Sequence, residues 1–173
     1  MSLVELVGPD GAPVGTASVE RAHTAPGLLH RAFSVLLVDP SGRLLLQQRA
    51  AGKTRFALRW ANACCGHPAP GEAVPAAARR RLGDELGVLG VPLVPVGVYV
   101  YRAPDPVSRL VEHEYDHVLV GRVPADLVTA PDPAEVAALR WADPAELASP
   151  AWTYAPWLTG VVGVAGLEPA GGR

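Results

Sequence analysis

The chain has 173 residues, 49% of them hydrophobic and 18% charged, with a formal net charge of −2. That length suits one domain able to bury about 70% of the surface its unfolded chain exposes, and the hydrophobic content excludes intrinsic disorder. The near-neutral balance excludes a polybasic footprint for nucleic acid or anionic membrane, so any bound anion must be gripped by local residues.

The first residues, MSLVELVGPDGAPVG, carry Glu5 and Asp10 and lack both the basic start and the apolar length of a secretory leader. A GPDGAP turn separates stretches 5–7 and 13–19 and predicts a hairpin. Residues 32–38 (AFSVLLV) read as a strand, DPSG at 39–42 as a turn, and 44–48 (LLLQQ) as the partner strand. A loop of basic and small residues, RAAGKTRFALR, leads from Arg49 into WANACCGHP at 60–68, which holds the only two cysteines. A helix is predicted over 75–86, with Pro75 at its start and Gly87 where a left-handed cap belongs. Residues 94–101 and 112–120 predict two more strands, 144–148 and 153–162 short helices, and LEPAGGR (167–173) a frayed tail. The apolar run WLTGVVGVAGL from Trp157 is far short of the ~20 residues a membrane span needs. The expectation is an α+β fold, a mixed sheet with few helices, forming one domain over 1–173 with its core at about 14–160.

Adjacent residues of an extended segment point to opposite faces, so Cys64 and Cys65 are poorly placed to bridge each other, and no disulfide framework exists. That suits a cytoplasmic setting. The same period of two puts Cys65 and His67 on one face, with Gly66 between them allowing close approach of a ligand or backbone. Glu112 and Glu114 likewise share a face, while His113 points away.

Gly66, Glu72, Arg80, Leu82, Asp84, Glu85, Gly87 and Val88 fall at the spacings of the Nudix box, whose acidic side chains hold Mg²⁺ against a diphosphate. The resemblance implies the Nudix α/β/α sandwich around one central box helix. Arg81 breaks the pattern, standing where the hydrolases of that fold place a glutamate, so the carboxylate cluster that activates water is incomplete.

Further matches run in order along the chain. They are HT at His23, the step to His30 followed by AFS, QRAAGK ending at Lys53, NACCGHP at Asn62, RRRLGDELG at Arg79, YRAPDP at Tyr101, EHEYDHV at Glu112 and AWTYAPW at Ala151. In these the chain resembles type I isopentenyl-diphosphate isomerase, a Nudix-fold family, over about 14–158. The resemblance implies a metal site of His23, His30, His67, Glu112 and Glu114, with Cys65 and Glu114 as the acid and base. Three imidazoles with two carboxylates suit Mn²⁺ or Zn²⁺, with Mg²⁺ accepted less readily. It further implies that Arg49, Lys53 and Arg81 hold the diphosphate, and that Glu85 binds a Mg²⁺ travelling with it. Arg81 thus becomes intelligible as an anion-binding fork. The chain departs from the family between the N-terminal histidines, where APGLL stands, and after Lys53, where no Trp-Pro-Gly follows.

The implied reaction interconverts isopentenyl and dimethylallyl diphosphate. A proton is added at one end of the alkene and another removed from the far end, through a tertiary cation. Which of Cys65 and Glu114 acts first is open, and Glu114 acts directly or through Tyr101. Trp152 is the expected cation stabiliser, because an indole face attracts positive charge. The alternatives are a Nudix hydrolase of a nucleoside or prenyl diphosphate and a noncatalytic metal- or ligand-binding module. The expected partner is the small-molecule substrate, with no nucleic acid and no membrane, and the protein is expected to be a monomer or weak dimer.

Overall fold

The computed structural model describes residues 2–168. Its centre is strand β3 (His30–Val38), which alternates Phe33, Val35 and Leu37 on one face with Leu36 and Val38 on the other. Burial on both faces needs a cover on each, and the chain supplies one helix per face. Helix α2 (Val74–Leu86) packs Ala77, Ala78, Leu82 and Leu86 against the first set; α3 (Leu158–Val164) packs Leu158, Val161 and Val162 against the second. Burying a leucine such as Leu82 contributes about 2 kcal/mol. Its replacement by Ala, which also leaves a cavity, costs about 2–5 kcal/mol. This is the expected α+β sandwich.

The sheet is mixed. β3 runs parallel to β8 (Val111–Arg122) in a register that sets His30 beside Glu114 and Ser34 beside Val118. On its other side β3 pairs antiparallel with β6 (Cys64–Gly66), Ser34 opposite Cys65. β7 (Val94–Pro104) pairs antiparallel with β8, setting Tyr101 opposite Glu114. β4 (Leu44–Arg49) pairs with β5 (Trp60–Ala61) and β9 (Val136–Ala142), but meets β3 only at Val38 and Leu44, so the sheet curls there.

The N-terminal hairpin forms as β1 (Leu3–Val7) and β2 (Pro13–Ser18). Val4 is fully buried beside Ala17 and Ala22, so packing extends ahead of residue 14. Val19 opens a helix instead of ending the strand: α1 (Val19–His23) is capped by the Ser18 hydroxyl, which accepts from Arg21 N–H at 3.2 Å. The box helix ends as expected, Gly87 taking φ 66° with its N–H on the Gly83 carbonyl. Residues 153–157 are not helical; the Trp60 carbonyl accepts from Ala155 N–H at 2.8 Å, and α3 begins only at Leu158. Pro144–Ala148 is a 3₁₀ turn. Leu167 N–H reaches the Val162 carbonyl, so the anticipated tail does not start there; residues 169–173 lie outside the described residues.

Candidate metal centre and catalytic cleft

The face of β3 and β8 that packs on α3 continues, toward the start of both strands, as the floor of a cleft of about 410 Å³, within the range of small-ligand sites. Arg49, Lys53, Arg55, Cys65, His67, Arg81, Tyr101, Glu112, Glu114 and Trp157 are among its lining residues.

Five side chains converge there from four parts of the fold. His23 ends α1, His30 opens β3, His67 follows β6, and Glu112 and Glu114 share one face of β8; a ligand atom from each lies within 4.8 Å of the others. His23 Nδ1 lies 2.7 Å from the Val19 carbonyl and His30 Nδ1 lies 2.8 Å from that of Leu28. A carbonyl only accepts, so each Nδ1 carries the proton and each Nε2 presents a lone pair to the centre. His23 Nε2 faces Glu112 Oε2 at 2.9 Å without hydrogen-bond alignment, and both atoms are buried with no partner. His67 Nε2 lies 3.2 Å from His30 Nε2 and 3.0 Å from Glu114 Oε1. Burial, reinforced by the neighbouring His67, lowers His30 to about 4; burial lowers His67 to about 3, with His23 adding to it. The His30 and His67 imidazoles are therefore neutral at pH 7, the state that binds metal. Lone pairs and carboxylates crowded together with few protons among them are the chemistry a divalent cation satisfies, so the residues fit the expected ion.

The two glutamates are supported differently. Burial would raise Glu112, but the Arg55 guanidinium, whose Nε donates to Glu112 Oε1 at 2.7 Å, works against it, and the carboxyl stays well below the usual range. Burial, together with the charge of Glu112, lifts Glu114 to about 7. Tyr101 Oη donates to Glu114 Oε2 at 2.6 Å, and burial beside that carboxylate keeps the phenol protonated.

The cysteines separate as period two requires. Cys64 is buried against α2, whereas Cys65 opens on the cleft, and both are free thiols. Burial, then Asp116, pushes the Cys65 thiol up to about 12, so it holds its proton at neutral pH. Its Sγ–H donates to Asn62 Oδ1 at 3.1 Å, and that oxygen also accepts from Trp157 Nε1–H at 3.1 Å. Asn62 Nδ2 is spent on the carbonyls of Val35 and Cys64, which locks the amide. Beneath Cys65, Ser34 Oγ lies 3.7 Å from the thiol and donates to Asp116 Oδ2 at 2.7 Å. A Cβ on Gly66 would meet Phe33 at 2.9 Å, so glycine here permits a close approach to the core beneath the strand.

Trp152 requires correction. It lies outside the cleft, 39% exposed, edge-on to Trp60 and with the Arg140 guanidinium 4.1 Å above its ring. The bridge between Trp60 and Tyr154 holds its segment to β5, away from the metal centre. Trp157 instead lines the cleft, 2% exposed, stacked on Tyr101 at 5.9 Å.

The anion-binding candidates Arg49, Lys53 and Arg81 all reach the cleft. Arg49 donates to the carbonyls of Arg55 and Phe56 and lies 5.6 Å from the Trp157 ring. Lys53 pairs with Glu135, and Arg81 pairs with Glu85 and approaches Glu135 at 3.6 Å. Glu85 is not among the lining residues: it is buried behind Arg81, its second oxygen accepting from Gln47 Nε2 at 3.1 Å. Any ion on Glu85 must displace Arg81. Sequence reasoning missed Arg55, Glu135, Asn62, Asp116 and Trp157. Asn62 and Asp116 sit inside quoted motifs; Arg55 and Glu135 carry no local signal, and Trp157 was hidden by Trp152 in the same stretch.

A NUDIX domain model matches residues 28–160. An isopentenyl-diphosphate Delta-isomerase of Nocardia farcinica is 58% identical over 166 residues, covering 94% of this chain and 93% of that protein. One from Halorhodospira halophila is 47% identical over 161 residues, covering 91% of each. Among solved structures, DR0079 from Deinococcus radiodurans superposes with a TM-score of 0.72 over 92% of this chain and 97% of its own, at 20% identity, a likeness of fold alone.

Proposed function

The chain belongs to the isopentenyl-diphosphate Delta-isomerases of the Nudix family, enzymes that interconvert isopentenyl and dimethylallyl diphosphate, and from that premise we propose how its cleft divides the work. Moving the double bond from carbons 3 and 4 to carbons 2 and 3 needs a proton delivered to carbon 4 and another removed from carbon 2, with a tertiary cation at carbon 3 between. One observation carries the assignment: Cys65 and Glu114 open on the same cleft from β6 and β8, the strands that flank β3 on opposite sides. They are the two proton-transfer groups, one on each face of the five-carbon chain. As held here, Cys65 carries a proton on Sγ and is aimed by Asn62, and the Glu114 carboxylate, steadied by the Tyr101 hydroxyl, is the acceptor that complements it; the reverse isomerisation exchanges the two roles.

A divalent cation on His23, His30, His67, Glu112 and Glu114 would supply fixed positive charge that offsets the buried carboxylates and lowers the proton affinity of Glu114. The nitrogen-rich donor set favours Mn²⁺ or Zn²⁺ over Mg²⁺. The Trp157 ring replaces Trp152 as the proposed cation stabiliser, and the surrounding buried surface keeps water from the cation. Arg49, Lys53 and Arg81 take the diphosphate; Lys53 and Arg81 would exchange their carboxylate partners for it, and Glu85 is the residue that would then hold a Mg²⁺ accompanying the anion. The free thiols and the diphosphate substrate support a cytoplasmic setting. Among the described residues no helix is long and apolar enough to cross a membrane. A hydrolase role is disfavoured by Arg81, a cation where water activation needs a carboxylate.

The two adjacent thiols test the assignment. Cys65→Ala should abolish isomerisation, while Cys64→Ala, which trims only a buried side chain, should keep it. Equal loss in both variants, each still folded by circular dichroism, would overturn the role of Cys65.

A further inference from the structure

Arg55 has none of the roles above, yet it touches the metal centre. Glu112 divides its oxygens: Oε2 faces His23, and Oε1 accepts from Arg55 Nε. The guanidinium thus sits on the outer edge of the cluster, and its side chain also lines the cleft with Arg49, Lys53 and Arg81. Its five donors are far from spent. Nη1 reaches only Thr54 Oγ1 at 3.3 Å, and Nη2 has no hydrogen-bond partner among the described residues.

The loop is built to hold Arg55 there. Phe56 and Leu58, neither of them glycine, take left-handed φ angles of 48° and 60°, a conformation that persists only where surrounding contacts enforce it. Phe56 N–H donates to the buried Asp105 carboxylate at 3.1 Å, and its ring packs edge-on to Trp157 at 5.3 Å. Arg49 holds the Arg55 and Phe56 carbonyls, and Leu58 N–H returns to the Arg49 carbonyl at 3.0 Å. Strain anchored at so many points fixes the one residue between Thr54 and Phe56 over the cleft.

We propose that Arg55 is a further diphosphate-binding residue that ties the anion to the metal centre, Nε remaining on Glu112 while its terminal nitrogens take phosphate oxygens. Lys53 and Arg81 must each leave a carboxylate to meet the anion, whereas Arg55 need not. A planar guanidinium can serve two anions along different edges; an ammonium cannot span them. The inference rests on the reading that this cleft takes a diphosphate.

The test is calorimetric titration of inorganic pyrophosphate into the full-length protein in Mg²⁺ buffer, comparing parent, Arg55→Gln, Arg55→Lys and, as reference, Arg81→Ala. Arg55→Gln should weaken pyrophosphate at least ~10-fold, the effect of losing a charge-assisted contact, and Arg55→Lys should recover only part of it. Mn²⁺ affinity, read from free Mn²⁺ by electron paramagnetic resonance, should fall by clearly less than pyrophosphate affinity, because the five ligands remain and only one hydrogen bond to Glu112 is lost. Pyrophosphate binding unchanged in Arg55→Gln while Arg81→Ala loses it overturns the proposal. So does a loss of pyrophosphate matched by an equal loss of Mn²⁺, which would make Arg55 a support for Glu112 alone. A parent protein that binds no pyrophosphate overturns the diphosphate reading of the cleft and this inference with it.

Discussion

Replacing Trp157 by Phe separates the two tryptophans of the AWTYAPW stretch. The Trp157 ring is buried, stacked on Tyr101 and edge-on to Phe56, and its Nε1–H bonds the same Asn62 oxygen that orients the Cys65 thiol. Phenylalanine keeps a ring but has a weaker negative face, so roughly half of a desolvated cation–π attraction of ~2 kcal/mol is lost from the transition state. Loosening of Asn62 lets the Cys65 thiol turn out of line and raises the barrier by up to about 1 kcal/mol more. Together these lower kcat about 5- to 30-fold. The ground state loses the same hydrogen bond, so Tm should fall by only a few degrees. Trp152→Phe alters a half-exposed ring outside the cleft and should leave kcat within about 2-fold. The assay is steady-state formation of dimethylallyl diphosphate, with thermal melts by circular dichroism. If Trp152→Phe slows the enzyme as much as Trp157→Phe, or if Trp157→Phe is as fast as the parent, then Trp157 does not face the cation.

Arg81→Ala should raise the KM for isopentenyl diphosphate about 10- to 150-fold while leaving Mn²⁺ binding intact, and Arg81→Glu should abolish isomerisation by repelling the diphosphate beside Glu85 and Glu135. Undiminished turnover in Arg81→Glu would mean that Arg81 only pairs with its helix neighbour. With metal removed by a chelator, acid should destabilise the protein through its histidines. His30 and His67 titrate at about 4 and 3 when folded against an ordinary 6.5, so the unfolded chain binds more protons in that interval and stability falls as pH drops through it. Glu114, raised to about 7, acts in the opposite sense between its ordinary 4.5 and that value, while Glu112, held well below 4.5, adds to the decline beneath it, so the histidine share is read by comparing variant with parent. His67→Gln should flatten the decline in Tm from pH 4.5 to 3, and an unchanged slope would contradict the buried neutral state of His67.

Much of this was legible because it depends on period. Phe33 to Val38 alternate between two cores, Cys64 and Cys65 part to opposite faces, and Glu112 and Glu114 share one, all as strand geometry dictates. The box helix announced itself through Pro75 and Gly87. Helix α1 did not, because five residues are too few to show a helical period, and its only local sign is the Ser18 cap. Strand β9, VAALRWA, escaped because alanine and leucine favour helix, and its pairing with β4 overrides that preference. The contacts of Arg55 with Glu112 and of Glu135 with Lys53 join residues distant in the chain, so no local spacing records them. The choice between Trp152 and Trp157 depended on the bridge of Tyr154 to Trp60, a tertiary contact that turns one indole outward and leaves the other in the cleft.

The most direct test of the central claim is incubation of the full-length protein with isopentenyl diphosphate and Mg²⁺ in D₂O, followed by mass analysis of the allylic product and assay of free phosphate. Proton delivery to carbon 4 and removal from carbon 2 predict dimethylallyl diphosphate carrying deuterium, with no phosphate released and no product from Cys65→Ala. Phosphate release without an allylic product would contradict the account and return the cleft to hydrolysis.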